Sequence, residues 1–189
     1  MTRQAALVER VHRLILQPRC PGRCPKYLKR YISSEQARVV GTIPQGGHGI
    51  KESQYAEVMR SFTREDVAEY AALIGDHNPI HIHDGGLNDG TVVVHGMLVA
   101  SLFSSIFGTL ISGSLYRSQS LNFRLPVYSD EIVKGRVDVT RVQPMRRRGL
   151  LVTCDTVVLR KSEQVICGVA QVWLPGIQTT DTVGSMKSL

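Results

Sequence analysis

Between Gly90 and Tyr116 the chain runs for 27 residues without a lysine, arginine, aspartate or glutamate. A helix built from such a segment has no charged face to turn toward water, so it must be enclosed by protein or by lipid. Lipid demands an unbroken apolar run of about 20 residues. Here His95-Gly96 interrupts the block near its start, Ser101, Ser104, Ser105 and Gly108 dilute it, and Ser112-Gly113-Ser114 closes it. About 16 residues of helix remain, short for a bilayer and suited to a helix surrounded by protein. The rest of the chain must then supply a wall that wraps this helix, in which Met97 and Leu98 read as core.

The wall is legible in the residues that follow. Leu115, Gln119, Leu121, Phe123 and Leu125 fall on one parity and Tyr116, Ser118, Ser120 and Asn122 on the other, the period of a half-buried strand. Three further strand-like runs are expected, Glu131 to Val142, Leu150 to Arg160 and Gln164 to Leu174, parted by turn residues at 144–149 and around Ser162-Glu163. Ahead of the block, Thr63 and Asp66 have the spacing of a capping box, Val67, Tyr70, Ala71 and Ile74 share a helical face, and Gly75 stands where such a helix stops. One enclosed helix followed by an antiparallel meander is an α+β arrangement. At 189 residues, 42% apolar and 21% charged, the chain suits one folded domain with an appendage.

That appendage is expected at the N-terminus. Met1 to Ile32 holds eight of the 23 basic residues and only one of the 16 acidic ones, so everything beyond it is formally neutral. Leu7, Val8, Val11, Leu14 and Ile15 lie at helical spacing beside Arg10 and Arg13, the pattern of a mitochondrial transit peptide, with Arg30-Tyr31-Ile32-Ser33 resembling a processing site near Ile32. A basic arm for RNA or acidic lipid is the other reading of the same charge. No basic platform interleaved with aromatics supports nucleic-acid binding elsewhere. The expected organisation is a transit peptide over 1–32, a Gly-containing linker over 33–49, a folded domain over 50–175 and a loose tail over 176–189. Cys20, Cys24, Cys154 and Cys167 complete no zinc pattern and read as non-functional.

Chemistry concentrates in Gly75-Asp76-His77-Asn78-Pro79-Ile80-His81, which follows the first helix. Pro79 restricts the backbone around it, so Asp76 and His81 are expected in one stiff loop. A carboxylate and an imidazole held together exchange protons near neutral pH and suit a general acid and general base. Three bland readings stand beside this one. Asp76 alone is most often a turn residue, His95 before a helix is a capping or packing residue, and Arg146, Arg147 and Arg148 form a solvated hairpin tip. A metal hydrolase is a rival reading, since His77, His81, His83, Asp84 and His95 cluster and His81 and His83 could chelate. Alternating histidines on an extended segment point to opposite faces, however, so no metal is expected.

The Gly-Asp-x-Asn-Pro-Ile-His core resembles the R-specific enoyl-thioester hydratases of the MaoC-like group. So do Val94-His95-Gly96-Met97-Leu98-Val99-Ala100, Gly113-Ser114-Leu115-Tyr116 and Ser118 through Val127, in the same order. With its leader, the chain is similar to the mitochondrial 3-hydroxyacyl-thioester dehydratases of that group, which serve mitochondrial fatty acid synthesis. The resemblance implies a single hotdog fold, a long helix wrapped by a curved antiparallel sheet, in a homodimer of the mitochondrial matrix with no membrane span. It implies reversible dehydration of a 3-hydroxyacyl thioester to the trans-2-enoyl thioester, carried by acyl carrier protein or, alternatively, by coenzyme A, without cofactor or metal. It assigns Asp76 and His81 to catalysis, Asn78 to the shape of the substrate-binding loop, and the Gly96 backbone N–H to the thioester carbonyl. A non-catalytic acyl-binding subunit of the same fold is expected to lack the acid or the base, and both are present. His83 stands where the group commonly has an acid, and the segment from His81 to His95 is short for the group, so no chain-length preference carries over.

Overall fold

The computed structural model describes residues 38–82, 91–146 and 149–177. The expected leader, His83, Asp84, Arg147, Arg148, Cys20, Cys24 and the tail from 178 lie outside the described residues. Within them the chain forms β1 (Val40–Gly41), β2 (Tyr55–Arg60), α1 (Arg64–Ile74), a short α2 (Pro79–Ile82) and α3 (Gly96–Leu110). Then come β3 (Leu115–Gln119), β4 (Asn122–Phe123), β5 (Val133–Met145), β6 (Gly149–Arg160) and β7 (Glu163–Leu174). The strands make one antiparallel sheet of seven in the order β1-β2-β5-β6-β7-β3, with β4 also paired to β7. This is the single hotdog fold of the α+β class.

Register explains why one face of the sheet is dry. Val139 lies opposite Cys154 and Cys154 opposite Ala170, while Val152 faces Val172, so the buried set of each strand lines up with its neighbour's. The other face carries charge: Arg136 bonds Asp138 at 2.6 Å, reaches Glu57 at 3.4 Å and covers the Tyr55 ring at 4.2 Å. Bulges between Val139 and Arg141 and between Val158 and Leu159 bend the long strands. Against the dry face lies α3, burying Val99, Leu102, Phe103, Ile106 and Phe107. Each such side chain withdrawn from water contributes about 1.5–3 kcal/mol. Contact is close enough that a Cβ on Gly135 of β5 would stand 2.8 Å from the Leu102 Cβ. The charge-free block thus becomes a helix of 15 residues. Among the described residues no helix is long and apolar enough to cross a membrane.

Several expectations need correction. The linker expected over 33–49 already carries β1, and its Ile43 and Gly47 are buried, Gly47 against Leu174, Ile177 and Ile111. Ile177, assigned to a loose tail, is 9% exposed and belongs to the core. The single parity expected from Leu115 to Leu125 is broken by a bulge between Tyr116 and Ser118, and Leu115, Phe123 and Leu125 are exposed. Ile74 is exposed although Val67 and Ala71 on its helix are buried, and Met97 is 56% exposed rather than core.

Candidate active site

Three local devices carry the chain into the site. Thr63 accepts a bond from the Asp66 N–H while Asp66 accepts one from the Thr63 N–H, fixing the start of α1. Gly75 ends the helix in a left-handed conformation, φ 76°, its N–H returning 2.8 Å to the Ala71 carbonyl. From there Asp76 Oδ1 accepts from the Asn78 N–H at 3.2 Å and Asn78 Oδ1 from the Ile80 N–H at 3.4 Å. Pro79 occupies the first position of α2, where a missing N–H costs nothing. His81 was expected in a loop; it stands instead on this one-turn helix, its N–H bonded to the Asn78 carbonyl at 3.0 Å.

The helix is pinned from the other side. Val93 donates its N–H to the Ile80 carbonyl at 3.1 Å and takes the His81 Nδ1 on its own carbonyl at 2.6 Å. A carbonyl only accepts, so Nδ1 carries the proton of the neutral ring and Nε2 keeps its lone pair. That Nε2 lies 3.9 Å from Asp76 Oδ2. The distance is too long for a direct bond, and a water or a substrate hydroxyl set to one side of the line can bond both groups at about 2.8 Å. Asp76 is partly exposed, whereas His81 is about nine-tenths enclosed.

A third side chain joins them. His95, read from the sequence as a cap or packing residue, makes no cap hydrogen bond. Its ring stacks on that of His81, centroids 3.7 Å apart and planes 22° apart, and its Nε2 lies 3.8 Å from the same Asp76 oxygen. Burial, followed by the neighbouring His81, lowers the His95 pKa below its ordinary value, with Asp76 pulling the other way. One signal for His95 was in the sequence: it and Tyr116 are the only titratable side chains in the charge-free block.

One atom each from Asp76, His81 and His95 lies within 4.8 Å of the other two, the reach of a metal site. An ion must sit about 2.0–2.1 Å from each imidazole nitrogen, along its in-plane lone pair. Rings stacked 3.7 Å apart at 22° hold those lone pairs in two nearly parallel planes, so one ion does not lie in both without a ring turning. Proton transfer asks for no such convergence. Of the other residues in the rival metal reading, His77 is exposed and lies outside this cluster.

His81 opens onto a cleft of about 450 Å³ whose floor is the start of α3 at Gly96 and Met97 and whose walls include Val94, Phe123, Leu125 and Ile166. The first N–H groups of a helix have no partner within it and carry its positive end, which suits a carbonyl oxygen that gains charge. A Cβ on Gly96 would stand 2.7 Å from the Phe123 ring, so glycine is needed there for the ring to close over the helix end. Asn78 does not line the cleft; its part is the turn that places His81. Met97 also borders a second cleft of about 390 Å³ reaching Ser104, Tyr116 and Gln119. Burial pushes the Tyr116 hydroxyl up to about 12 and the Cys154 thiol to about 12, so neither ionises near neutrality.

Comparison with known proteins follows the same lines. The family model described as MaoC like domain matches residues 47–160, starting inside the expected linker. The 3-hydroxybutyryl-CoA dehydratase of Methylorubrum extorquens is 36% identical over 128 residues, covering 65% of this chain and 79% of that protein. The mitochondrial 3-hydroxyacyl-(acyl-carrier-protein) dehydratase FERN of Solanum lycopersicum is 30% identical over 155 residues, covering 79% of this chain and 92% of its own length. The solved structure of the (R)-hydratase from A. caviae involved in PHA biosynthesis superposes with a TM-score of 0.60 at 33% identity, covering 67% of this chain and 98% of that one.

Proposed function

The chain belongs to the MaoC-like domain family, and from that premise we propose that it is a hydro-lyase interconverting a (3R)-hydroxyacyl thioester and its trans-2-enoyl thioester, with Asp76 and His81 as the proton-handling pair. Loss of water requires one group to take the proton at C2 and another to protonate the hydroxyl leaving C3. The observation that carries the reading is the 3.9 Å approach of His81 Nε2 to Asp76 Oδ2, with the opposite ring nitrogen tied to Val93 and His81 itself lining an apolar cleft. The hydroxyl, or in the reverse direction the water, bridges the two groups from one side. Removing the C2 proton builds negative charge on the thioester oxygen, and the Gly96 N–H at the start of α3 is placed to receive it. Asn78 acts through the turn that presents His81.

Hydration of a trans-2-enoyl thioester by folded Asp76→Asn and His81→Ala proteins tests the pair. Each variant is expected to lose about a hundredfold or more in kcat, the usual cost of a positioned acid–base group. The double variant is expected to lose far less than the product of the two, since the groups act as a unit. Near-normal turnover in either single variant, or an S product, overturns the assignment.

For the carrier, the proposed substrate is an acyl-carrier-protein thioester in the mitochondrial matrix. The basic, acid-poor leader over 1–32 supports it, as does the printed name of the tomato relative. The coenzyme A carrier is favoured by the name of the Methylorubrum relative. Turnover on the two carriers at equal chain length separates them. Assembly as a homodimer is supported by the exposed edge strand β3 and by Leu115, Phe123, Leu125 and Val169, which expose 41–52% of their surface on neighbouring strands and the loop beside them.

A further inference from the structure

His95 is nearly sealed from solvent, 3% exposed, and does not line the cleft beside His81. Asp76 does not line that cleft either, but its side chain is 44% exposed, whereas His95 at 3% has almost no surface to offer a substrate. Yet it meets both members of the proposed pair: its ring stacks on His81, and its Nε2 faces Asp76 Oδ2 at 3.8 Å, the same oxygen that faces His81. Behind it, Tyr70 of α1 presses its ring against His95 at 5.1 Å and 64°, an edge-on brace. His95 thus joins two further rings, Tyr70 of α1 and His81 of α2. Among the described residues neither ring nitrogen of His95 has a hydrogen-bond partner. Phenylalanine fills the same space without burying two polar atoms, so packing alone does not account for a histidine here.

We propose that His95 is a positioning residue for the reaction: its flat face fixes the ring plane of His81, and its Nε2, 3.8 Å from Asp76 Oδ2 and beyond hydrogen-bond reach, gives that carboxylate a polar neighbour on the side away from solvent. The inference rests on the assignment of Asp76 and His81 as the working pair. Val93 sets the His81 tautomer, and the stack prevents rotation about the remaining side-chain bonds, so that Nε2 stays on the side of Asp76.

Two variants separate the two halves of this role. His95→Ala removes ring and nitrogen, and should lower kcat at least tenfold with KM within threefold of the parent. His95→Phe keeps the stack and the brace and so keeps the protein folded, and its kcat should fall between those of the alanine variant and the parent. In a His81→Ala background, His95→Ala should cost much less than it does in the parent, because the part that acts through the His81 ring plane is gone and only the contact with Asp76 remains. Nitrogen-15 NMR of the imidazoles reads the geometry without any turnover: His81 should show the Nδ1–H tautomer in the parent and in His95→Phe, and averaged nitrogens in His95→Ala. A chain with no hydratase activity but with these NMR changes defeats the proposed function and leaves the positioning contact standing. Parental kcat in His95→Ala, a phenylalanine variant equal to the parent, a loss confined to KM, an equal loss without His81, or an unchanged His81 tautomer in the alanine variant each overturns the proposal.

Discussion

Replacing Gly96 by alanine separates stability from catalysis more cleanly than any change to the acid–base pair. Gly96 has an ordinary helical backbone, so alanine is not strained there, and at an interior helix position it is favoured over glycine by about 0.8–1.0 kcal/mol, less in the first turn. Against this gain, the new methyl would stand 2.7 and 2.8 Å from two carbons of the Phe123 ring. Phe123 is 52% exposed on a strand of two residues, so its ring can swing aside, and an off-rotamer side chain costs about 0.5–1.5 kcal/mol. The two terms nearly cancel, and a urea melt should place the variant within about 1 kcal/mol of the parent. The ring, however, can move only within or away from the cleft it walls, and the methyl itself crowds the N–H assigned to the thioester oxygen. Loss of one oxyanion donor lowers turnover about 10²–10³-fold, so kcat/KM for enoyl-thioester hydration should fall about a hundredfold, some 2.7 kcal/mol in the transition state. Adding Phe123→Ala removes the clash, and recovery in that double variant assigns the loss to the displaced ring. If the Gly96→Ala protein melts like the parent and keeps its kcat/KM within threefold, the helix end does not bind the carbonyl.

Two further outcomes follow from the packing. Gly135→Ala drives a methyl to 2.8 Å from the Cβ of Leu102, which is 4% exposed on α3 and has no space to yield, so a urea melt should show a loss of about 1–3 kcal/mol; an unchanged midpoint would mean that α3 does not rest on β5 as described. For pH, burial and His81 hold His95 below its ordinary 6.5, so as pH falls the unfolded chain takes up the proton first; the stabilisation is complete above 6.5 and is lost as pH drops through the folded pKa, and His95→Phe should flatten that part of the stability profile in urea melts between about pH 7 and 5.

What could be read of the fold depended on how far each determinant lies from its partner along the chain. Thr63 and Asp66 cap α1 three residues apart, and Gly75 closes the same helix, so both ends were visible. The alternation that marks β5 to β7 is likewise local. The linker misread over 33–49 shows the opposite case. Gly46-Gly47 looks like flexible punctuation, yet a Cβ on Gly47 would stand 2.9 Å from Leu174 and 3.1 Å from Ile111. Composition does not distinguish a glycine that frees the backbone from one that lets two remote elements approach. Parity failed over Leu115 to Leu125 for a related reason: the bulge beside Tyr116 exists only against β7, whose pairing residues lie more than 50 positions downstream. Met97 sits on a helix apolar all round, where no pattern marks the one side left open to a cleft.

The candidate site divides along the same line, and the division bears on how it is tested. Asp76, Asn78, Pro79 and His81 build their turn from bonds spanning two or three residues, so their types and spacing were enough to single them out. What aims the imidazole is different in kind. Its tautomer depends on the carbonyl of Val93, and every residue has a carbonyl, so no side-chain pattern marks that one. Its ring plane is met by His95, 14 residues on, across a segment whose length does not fix the approach. Substituting Asp76 or His81 removes the chemistry together with its aim and cannot tell one from the other. Substituting His95 leaves both reacting groups in place and changes only what holds them, so a fall in kcat there, with KM kept, measures how much of the rate comes from orientation.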